Sequence, residues 1–485
     1  MTEVDRSITW FSEEAARATG GRVTQAWSGK GFSIDTRTLK DGDVFVALFG
    51  NRNGHEFVSD AFERGASAAI VSQELESSLT NKPLLIVEDT MIALNHLARE
   101  ARRRSKAKVI GVTGSVGKTT TKNMLGVALS VFGKVHLAEK SFNNHIGVPL
   151  TLASMPRDCD FSVIEIGMSS KNEILPLAQL ATPDVAIITN IAEAHLQQFN
   201  SLEEIMLEKA DIAKPLKKGS PCVINKDSEL YDSLLGVIER HGAKPVTYGI
   251  KENSDFQLLN SVTLNNMTCS ELNLPDGNKL FIKLSSIGYH NTVNAVGALA
   301  AVGSLGLDIP LAAIALSTWK ATKGRGSFIN VKSETSLLSG NFLIIDESYN
   351  ANPKSLIAAL EVLSQVQPTH FLDSDLKRLK RIAVLGDMLE LGTAEYEIHR
   401  SLARAENFKH VDMVHCVGKR MKHLYDALPK KKRGKWVSKV EEAVPFLKKT
   451  VTAGNIIMLK ASNGLMFSKL VKELSKLGDC TDAHI

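Results

Sequence analysis

Residues 109–122, VIGVTGSVGKTTTK, constrain the fold of this chain more than any other stretch. An apolar run enters a glycine-rich turn, and the turn leads into residues that favour a helix. The backbone N–H groups of such a turn, together with the N-terminus of the following helix, form a binding site for phosphate groups. The segment therefore predicts a buried strand, a phosphate-binding loop and a helix, in that order.

The loop departs from the general pattern GxxxxGK[ST], because Val112 stands where that pattern has its first glycine; TGxxGKTT describes it better. Lys118 is expected to reach the terminal phosphates of a nucleotide, and the Thr119 hydroxyl is expected to bind Mg²⁺. The loop alone does not distinguish a ligase from a GTPase, a motor or a kinase. The predicted phosphate-binding residues are Thr113, Gly114, Ser115, Val116, Gly117, Lys118, Thr119 and Thr120.

Apolar runs alternate with helical patterns through most of the chain, which is typical of parallel sheets covered by helices on both faces. The predicted strands lie at 44–48, 68–71, 109–112, 161–166, 185–189, 221–224, 342–345, 382–385, 413–417 and 456–459. A helix is predicted at 88–104, and residues 255–287 alternate like an antiparallel edge. At roughly 150 residues per domain, the length of 485 residues suggests about three α/β domains. The predicted domains are 1–104, 105–320 and 321–485, with the active site between the second and the third.

Composition excludes several classes of protein. A hydrophobic content of 44% and a net charge of +5 are those of a globular protein that is neither disordered nor strongly basic, so no nucleic-acid partner is expected. No apolar stretch reaches the roughly 20 residues that span a bilayer, and the first residues do not form a signal peptide. The five cysteines form no CxxC pair, so a cytoplasmic location is expected. The basic run at 430–433 is interpreted as a solvated loop.

Polar residues close several of the predicted strands, where ligands bind in open α/β sheets. Glu165 within an apolar run is costly unless it is paired or binds metal, and we favour a Mg²⁺ ligand over a structural ion pair. His195 follows the strand at 185–189 and fits a functional or a structural role equally well. Lys209 lies in a helix that begins after Ser201 and, from its sequence context alone, is a solvated lysine. Three further polar residues close strands of the third block and predict a polar rim facing the nucleotide: Asp346, Asp387 and Lys460.

The order and spacing of these motifs resemble the Mur ligase family. In the central block the matching motifs are TGxxGKTT, Asn143-Asn144-His145-Ile146-Gly147-Val148-Pro149, Glu165-Ile166-Gly167, Thr189-Asn190-Ile191, His195-Leu196, His290-Asn291 with Asn294-Ala295, and Gly324-Arg325. The N-terminal block resembles the UDP-sugar-binding module of the members that add the third and later peptide residues. It carries Ser33-Ile34-Asp35-Thr36-Arg37, Gly42-Asp43, Gly54-His55 and Gly65-Ala66.

The resemblance implies an ATP-dependent ligase that forms an amide through an acyl phosphate, with two Mg²⁺ ions. It places Lys118, Glu165, His195 and Lys209 in catalysis, Thr119, Glu165, His195 and Lys209 at the metals, and a carbamate (a CO₂ adduct) on Lys209. The nucleotide would also meet Asn291, Asn294, Arg325 and Asp346. The expected substrate-binding residues are Ser33, Asp35, Thr36, Arg37, Asn144, Tyr349, Asn350 and Asn352.

Within the family, the segments DESYNANP at 346–353 and LGDMLELG at 385–392 resemble the branch that joins D-alanyl-D-alanine to UDP-MurNAc-tripeptide. The expected state is a monomer that closes on its substrates. Two departures stand out: Glu347 replaces the second aspartate of the usual pair, and Ala461 and Asn463 stand where Lys-Gly-Ser-Arg-Gly has glycine and arginine. The alternatives are another Mur-type ligase, a folylpolyglutamate-type ligase, which lacks the N-terminal pattern, and a P-loop ATPase that acts as a switch.

Overall fold

The computed structural model describes residues 9–74, 76, 79, 81–193, 197–335, 338–367 and 379–482, and side chains at 334–339 and 482 are left aside. The described residues form three α/β parts, which we call the N-terminal, central and C-terminal layers. They are built on sheets of five, nine and seven strands, with a small two-stranded ribbon near the N-terminus. None of the helices in these residues is both long and apolar enough to cross a bilayer.

The N-terminal layer combines a five-stranded sheet, the two-stranded ribbon and the helices packed on them. Its strands are β1 Trp10–Phe11, β2 Arg22–Val23, β3 Ser28–Gly29, β4 Gly31–Ser33, β5 Asp43–Val46, β6 Ala68–Val71 and β7 Leu84–Ile86, and its helices are α1 Ser12–Thr19, α2 Val58–Glu63 and α3 Thr90–Arg104. The sheet order is β2-β7-β6-β5-β4, parallel except for β2, while β1 and β3 form the ribbon.

The central layer carries the phosphate loop. Its strands are β8 Lys108–Thr113, β9 Val135–Leu137, β10 Phe161–Glu165, β11 Val185–Ile188, β12 Pro221–Asn225, β13 Lys244–Gly249, β14 Phe256–Leu264, β15 Met267–Asn273 and β16 Lys279–Leu284. Its helices are α4 Lys118–Leu129, α5 Gly147–Ala153, α6 Ile174–Ala181, α7 Leu202–Ala210, α8 Tyr231–Arg240, α9 Tyr289–Ser304 and α10 Ile309–Leu316. The strand order is β16-β15-β14-β13-β12-β11-β8-β10-β9, so β8 lies between β11 and β10 and its loop opens at their carboxyl ends.

The C-terminal layer is a seven-stranded mixed sheet. Its strands are β17 Ser327–Thr335, β18 Leu338–Glu347, β19 Lys380–Gly386, β20 Met413–Val417, β21 Arg433–Val437, β22 Asn455–Lys460 and β23 Asp479–Asp482. Its helices are α11 Pro353–Gln365, α12 Glu395–Ser401, α13 Met421–Ala427, α14 Val440–Thr450 and α15 Ser468–Ser475. The order is β21-β20-β19-β22-β18-β17-β23, in which β17 runs antiparallel to both of its neighbours.

The predicted strands are confirmed, most with ends displaced by one or two residues, and the helix predicted at 88–104 is α3. The predicted antiparallel edge is confirmed as β14, β15 and β16. The strand predicted at 44–48 ends at Val46, because the N–H of Leu48 turns back to the carbonyl of Val46. The sequence analysis did not predict β1, β2, β3, β4, β7, β9, β13, β17, β21 or β23; β9 is short and only half-buried, so it lacks a continuous apolar run.

The predicted domain limits fall between elements of this fold. Residue 104 is the last residue of α3, and residue 320 lies between α10 and β17. The division into domains at these residues stays a prediction.

One hydrophobic core joins the N-terminal and central layers. Leu94 and Leu97 of α3 are fully buried in the same cluster as Val148 and Leu152 of α5. Trp10 belongs to it as well: its indole N–H donates to the carbonyl of Ala153 at 2.8 Å. Because an indole fills a large volume and also satisfies a buried carbonyl, Trp10 contributes to holding the two layers together.

We expect Trp10→Ala to lower the free energy of unfolding by about 3–5 kcal/mol, because it opens a cavity in this shared core. The neighbouring Phe11 is 52% exposed, so Phe11→Ala is the matched control and should change the stability by less than about 1 kcal/mol. Urea unfolding of the two variants measures the difference. Equal effects would show that the indole does not hold the layers together.

Candidate active site

A cleft of about 480 Å³ opens between the carboxyl ends of the central strands and the C-terminal layer. Many of the predicted site residues line it: Ser115, Val116, Gly117, Lys118, Thr119, Thr120, Asn144, Glu165, Asn291, Asn294, Arg325, Tyr349, Asn350 and Asn352. Other predicted residues do not: Thr113, Gly114, Lys209, Asp346, Ser33, Asp35, Thr36 and Arg37. His195 lies outside the described residues, so its predicted role stays a prediction.

The phosphate loop is held by the chain that follows β11. Ser115 donates its N–H to the carbonyl of Asn190 at 2.7 Å, and Thr189 donates its hydroxyl to the carbonyl of Val116 at 2.5 Å. Gly114 has a φ of 146°, and a Cβ built on it would stand 2.0 Å from Oγ1 of Thr189. Only glycine fits this position, because both the backbone conformation and the neighbouring hydroxyl exclude a side chain.

Lys118 begins α4 and folds back over the loop. Its Nζ donates to the carbonyl of Gly114 at 2.5 Å. Burial lowers the pKa of Lys118 to about 8; nearby Glu165 opposes this shift and Arg325 adds to it. When a nucleotide binds, the ammonium group can exchange this carbonyl for a phosphate oxygen, whose negative charge would neutralise it.

Glu165, the last residue of β10, places a buried carboxylate at the floor of the cleft. It is 2% exposed, and its Oε1 accepts hydrogen bonds from Thr119 at 3.0 Å and from the Asn143 side chain at 2.8 Å. Its Oε2 is buried without a hydrogen-bond partner among the described residues and lies 3.8 Å from Nζ of Lys122. An oxygen left in this state next to a threonine hydroxyl fits a Mg²⁺ ion that takes its remaining ligands from phosphates and water.

Lys122 lies one helical turn after Lys118 and anchors the segment that follows β9. Its Nζ donates to the carbonyls of Ala138 at 2.6 Å and Lys140 at 3.0 Å, and burial lowers its pKa. The sequence analysis did not identify this residue. Its spacing of four from Lys118, on the same face of α4, was the available signal.

Ser141 connects the phosphate loop with the C-terminal layer. Its hydroxyl lies 2.8 Å from Oγ1 of Thr119 and accepts from the Arg325 guanidinium at 3.1 Å. Arg325 in turn stacks on the Tyr349 ring at 4.1 Å from the centroid. These contacts place Arg325 at the phosphate end of the cleft.

The C-terminal wall of the cleft is formed by the loop between β18 and α11. Lys460 donates to Glu347 at 3.1 Å and to the carbonyl of Asn350 at 3.0 Å, which fixes this loop against the end of β22. The Asn352 side chain accepts from the N–H of Ser355 at 2.8 Å and caps α11. The sequence analysis had placed Lys460 on the polar rim and had noted Glu347 as a departure from the family pattern, but it had not predicted the ion pair between them.

Two asparagines of α9 line the cleft opposite this wall. Asn291 donates to the carbonyl of Ile287 at 2.9 Å and to Ser286 at 3.0 Å. Asn294 lies against the phosphate loop, since a Cβ on Gly117 would stand 2.7 Å from its Oδ1. His290, in the first turn of the same helix, also lines the cleft, and burial lowers its pKa.

The predicted polar rim of the third block is partly wrong. Asp387 does not line the cleft: its carboxylate accepts from the N–H of Met421 at 2.7 Å and begins α13. The Asp346 carboxylate likewise accepts from the N–H groups of Gly324 at 2.9 Å and Ser348 at 3.1 Å. Both carboxylates are used by backbone donors, and of the three strand-end residues only Lys460 lines the cleft.

Lys209, on α7, is 1% exposed and lies close enough to Lys118 for the two charges to interact. Burial and the nearby charge of Lys118 hold its pKa well below the usual range, although Glu208 opposes the shift. Glu208 itself accepts three backbone N–H groups, those of residues 172–174, at the start of α6. Lys209 is therefore not the solvated lysine that its sequence context suggested.

The predicted substrate loop of the N-terminal layer follows β4. Arg37 donates to Asp35 at 2.7 Å and 2.9 Å, and this pairing lowers the pKa of Asp35 to about 2. Lys140, next to Ser141 at the cleft, adds to this lowering, and Lys40 forms an ion pair with Glu139. The loop therefore lies beside the segment at 138–141, although it does not line the cleft.

Comparison with known proteins agrees with this geometry. Residues 112–302 match the family described as Mur ligase middle domain, and residues 334–463 match the one described as Mur ligase, glutamate ligase domain. A curated relative from Rickettsia prowazekii is 33% identical over 96% of this chain and 99% of its own length. The chain belongs to the Mur ligase family.

The same Rickettsia protein is named UDP-N-acetylmuramoyl-tripeptide–D-alanyl-D-alanine ligase, as is a Bacillus subtilis protein that is 34% identical over 92% of this chain and 93% of its own length. Among solved structures, MurF from Acinetobacter baumannii superposes with a TM-score of 0.79 at 26% identity, covering 98% of this chain and all of that one. MurF ligase from Thermotoga maritima in complex with ADP gives a TM-score of 0.73 at 27% identity over 92% and 97%. The three-domain Mur ligase architecture expected from the sequence is confirmed.

We expect Gly114→Ala to weaken ATP binding by at least about 100-fold, because the added methyl group cannot fit against Thr189 and the loop must move. Gly50→Ala is the matched control, since nothing lies within 4 Å of a Cβ at that position. Isothermal titration with a non-hydrolysable ATP analogue measures both. Unchanged affinity in Gly114→Ala would contradict the proposed role of this loop.

Proposed function

We propose that this protein uses ATP to join D-alanyl-D-alanine to UDP-N-acetylmuramoyl-tripeptide, which gives a UDP-MurNAc-pentapeptide. The observation that carries the proposal is the cleft, which places a phosphate loop and a buried Glu165 opposite a C-terminal wall of polar side chains. Relatives named for this activity match over nearly the whole chain, and a MurF structure that superposes on it is a complex with ADP.

The chemistry follows from what the substrates require. A carboxylate does not react with an amine in water, so it must first be activated. In the first step the terminal phosphoryl group of ATP passes to the carboxylate of the tripeptide, and ADP leaves. In the second step the amine of the dipeptide attacks the acyl phosphate: a C–N bond forms, the C–O bond to phosphate breaks, and the amine loses a proton.

The first step brings two anions together, and the cations of the cleft lower that cost. Lys118 and Arg325 are placed at the phosphate end, where they would stabilise the charge of the transferred group. Thr119 and Glu165 would hold one Mg²⁺, and His195 and Lys209 would serve a second. Bound Mg²⁺ supplies positive charge to the phosphate oxygens.

The buried Lys209 supports the proposal of a carbamate. Only a neutral amine reacts with CO₂, and the lowered pKa of Lys209 favours the neutral form. The adduct would replace a cation that is costly to bury with an anion that a metal ion can neutralise.

We further propose that the protein is cytoplasmic and that it is a monomer. The monomer is proposed because a single chain supplies the residues that line the cleft.

The assay that tests the function follows phosphate release from Mg-ATP while UDP-MurNAc-tripeptide and D-alanyl-D-alanine are each omitted in turn. Release should require both, and mass spectrometry should find the pentapeptide product. Phosphate release without either substrate, and with no amide formed, would favour an ATPase switch. Product formed with a glutamate acceptor instead would favour a folylpolyglutamate-type ligase.

For Lys209, wild-type protein supplied with ¹³C-bicarbonate should show a carbamate resonance by NMR, and Lys209→Met should not. The kcat of Lys209→Met should fall by at least about 100-fold, because losing a metal ligand costs more than the 10- to 100-fold typical of its outer partners. Lys217, exposed just beyond the same helix, gives the control Lys217→Met. A resonance that persists in Lys209→Met would place the carbamate elsewhere.

A further inference from the structure

The charges of the cleft identify a residue that the family comparison does not. The incoming dipeptide of the proposed reaction ends in a carboxylate that must be held while its amine reacts. Four described cationic side chains line the cleft: Lys118, Arg325, Lys354 and Lys460. A cation about one dipeptide length from the reacting centre would bind this carboxylate and so orient the amine for attack, so the unused positive charge among these four is the one of interest.

Three of the four are engaged elsewhere. Lys118 donates to the phosphate loop, and Lys460 forms an ion pair with Glu347. Arg325 reaches Ser141, whose hydroxyl contacts the threonine of the phosphate loop, so it belongs to the phosphate end of the cleft.

Lys354 differs from these three. It is exposed in the first turn of α11, a helix of 13 residues whose positive end points into the cleft through Asn352 and Ser355. Its Nζ donates to Oδ1 of Asn190 at 3.2 Å, which is a neutral amide, and no carboxylate among the described residues forms an ion pair with it.

Lys354 lies near the phosphate loop, where the proposed reaction takes place. Asn190 belongs to the central layer and also accepts the N–H of Ser115 in the phosphate loop, so Lys354 spans the cleft from the C-terminal wall to that loop. A flexible ammonium group can leave an amide oxygen for a carboxylate, which is the stronger partner.

We propose that Lys354 binds the terminal carboxylate of the incoming dipeptide and so selects a free dipeptide over one whose carboxyl end is blocked. The proposal rests on the proposed function. The Lys354–Asn190 contact is then the resting state of this residue, and the dipeptide replaces Asn190 as its partner.

The test compares D-alanyl-D-alanine with D-alanyl-D-alaninamide as acceptors for wild-type protein, Lys354→Met and Lys354→Arg. In Lys354→Met the KM for the free dipeptide should rise about 10- to 100-fold, the usual worth of a hydrogen bond to a charged group. The KM for the amide, for ATP and for the UDP substrate should stay within about twofold. Lys354→Arg should retain most of the preference for the free dipeptide.

Lys244→Met is the matched control, because Lys244 is exposed at the opposite, amino end of β13 and lies outside the cleft. It should leave every KM unchanged. A Lys354→Met protein that still prefers the free dipeptide, or that raises both acceptor KM values equally, overturns the proposal while the ligase assignment stands. Wild-type protein that forms no amide product overturns the ligase assignment as well.

Discussion

The candidate site depends on one buried carboxylate. Glu165 ends a strand whose residues are all buried, so its charge is tolerable only where donors or a cation reach it. Thr119 and Asn143 satisfy one of its oxygens, and Lys122 approaches the other from α4. The phosphate loop, the first turn of α4 and the segment after β9 are therefore placed by the needs of a single side chain.

The segment at 138–141 extends this constraint to the other two layers. Lys122 fixes its backbone, and Ser141 meets both the phosphate loop and Arg325 of the C-terminal layer. On its other side, Glu139 pairs with Lys40 of the N-terminal layer. Four consecutive residues thus contact all three layers of the structure.

The sequence alone predicted the fold well, because continuous apolar runs and the glycine loop are local signals. Residues such as Ser141 and Lys354 could not be predicted in the same way, since their partners lie on other elements and no local pattern indicates the contact. The ends of strands also gave a wrong prediction. Asp387 closes an apolar run as a ligand-binding residue does, yet its carboxylate accepts a backbone N–H at the start of α13. The prediction for Lys209 was also wrong, because a helical lysine is ordinarily solvated, whereas Lys209 shares the buried face of its helix with Ile205 and Met206.

The core shared by the N-terminal and central layers has a consequence for how such proteins can be recombined. A cut after α3 would leave the face of α5 that carries Val148 and Leu152 without the leucines of α3 that cover it, and a contiguous apolar surface of this kind invites aggregation. The N-terminal layer therefore cannot be removed on its own without exposing this surface. Exchanging it for a layer with another ligand preference requires the donor to bring a matching α3 and an indole at position 10, so grafts are best designed with both faces of this core transplanted together.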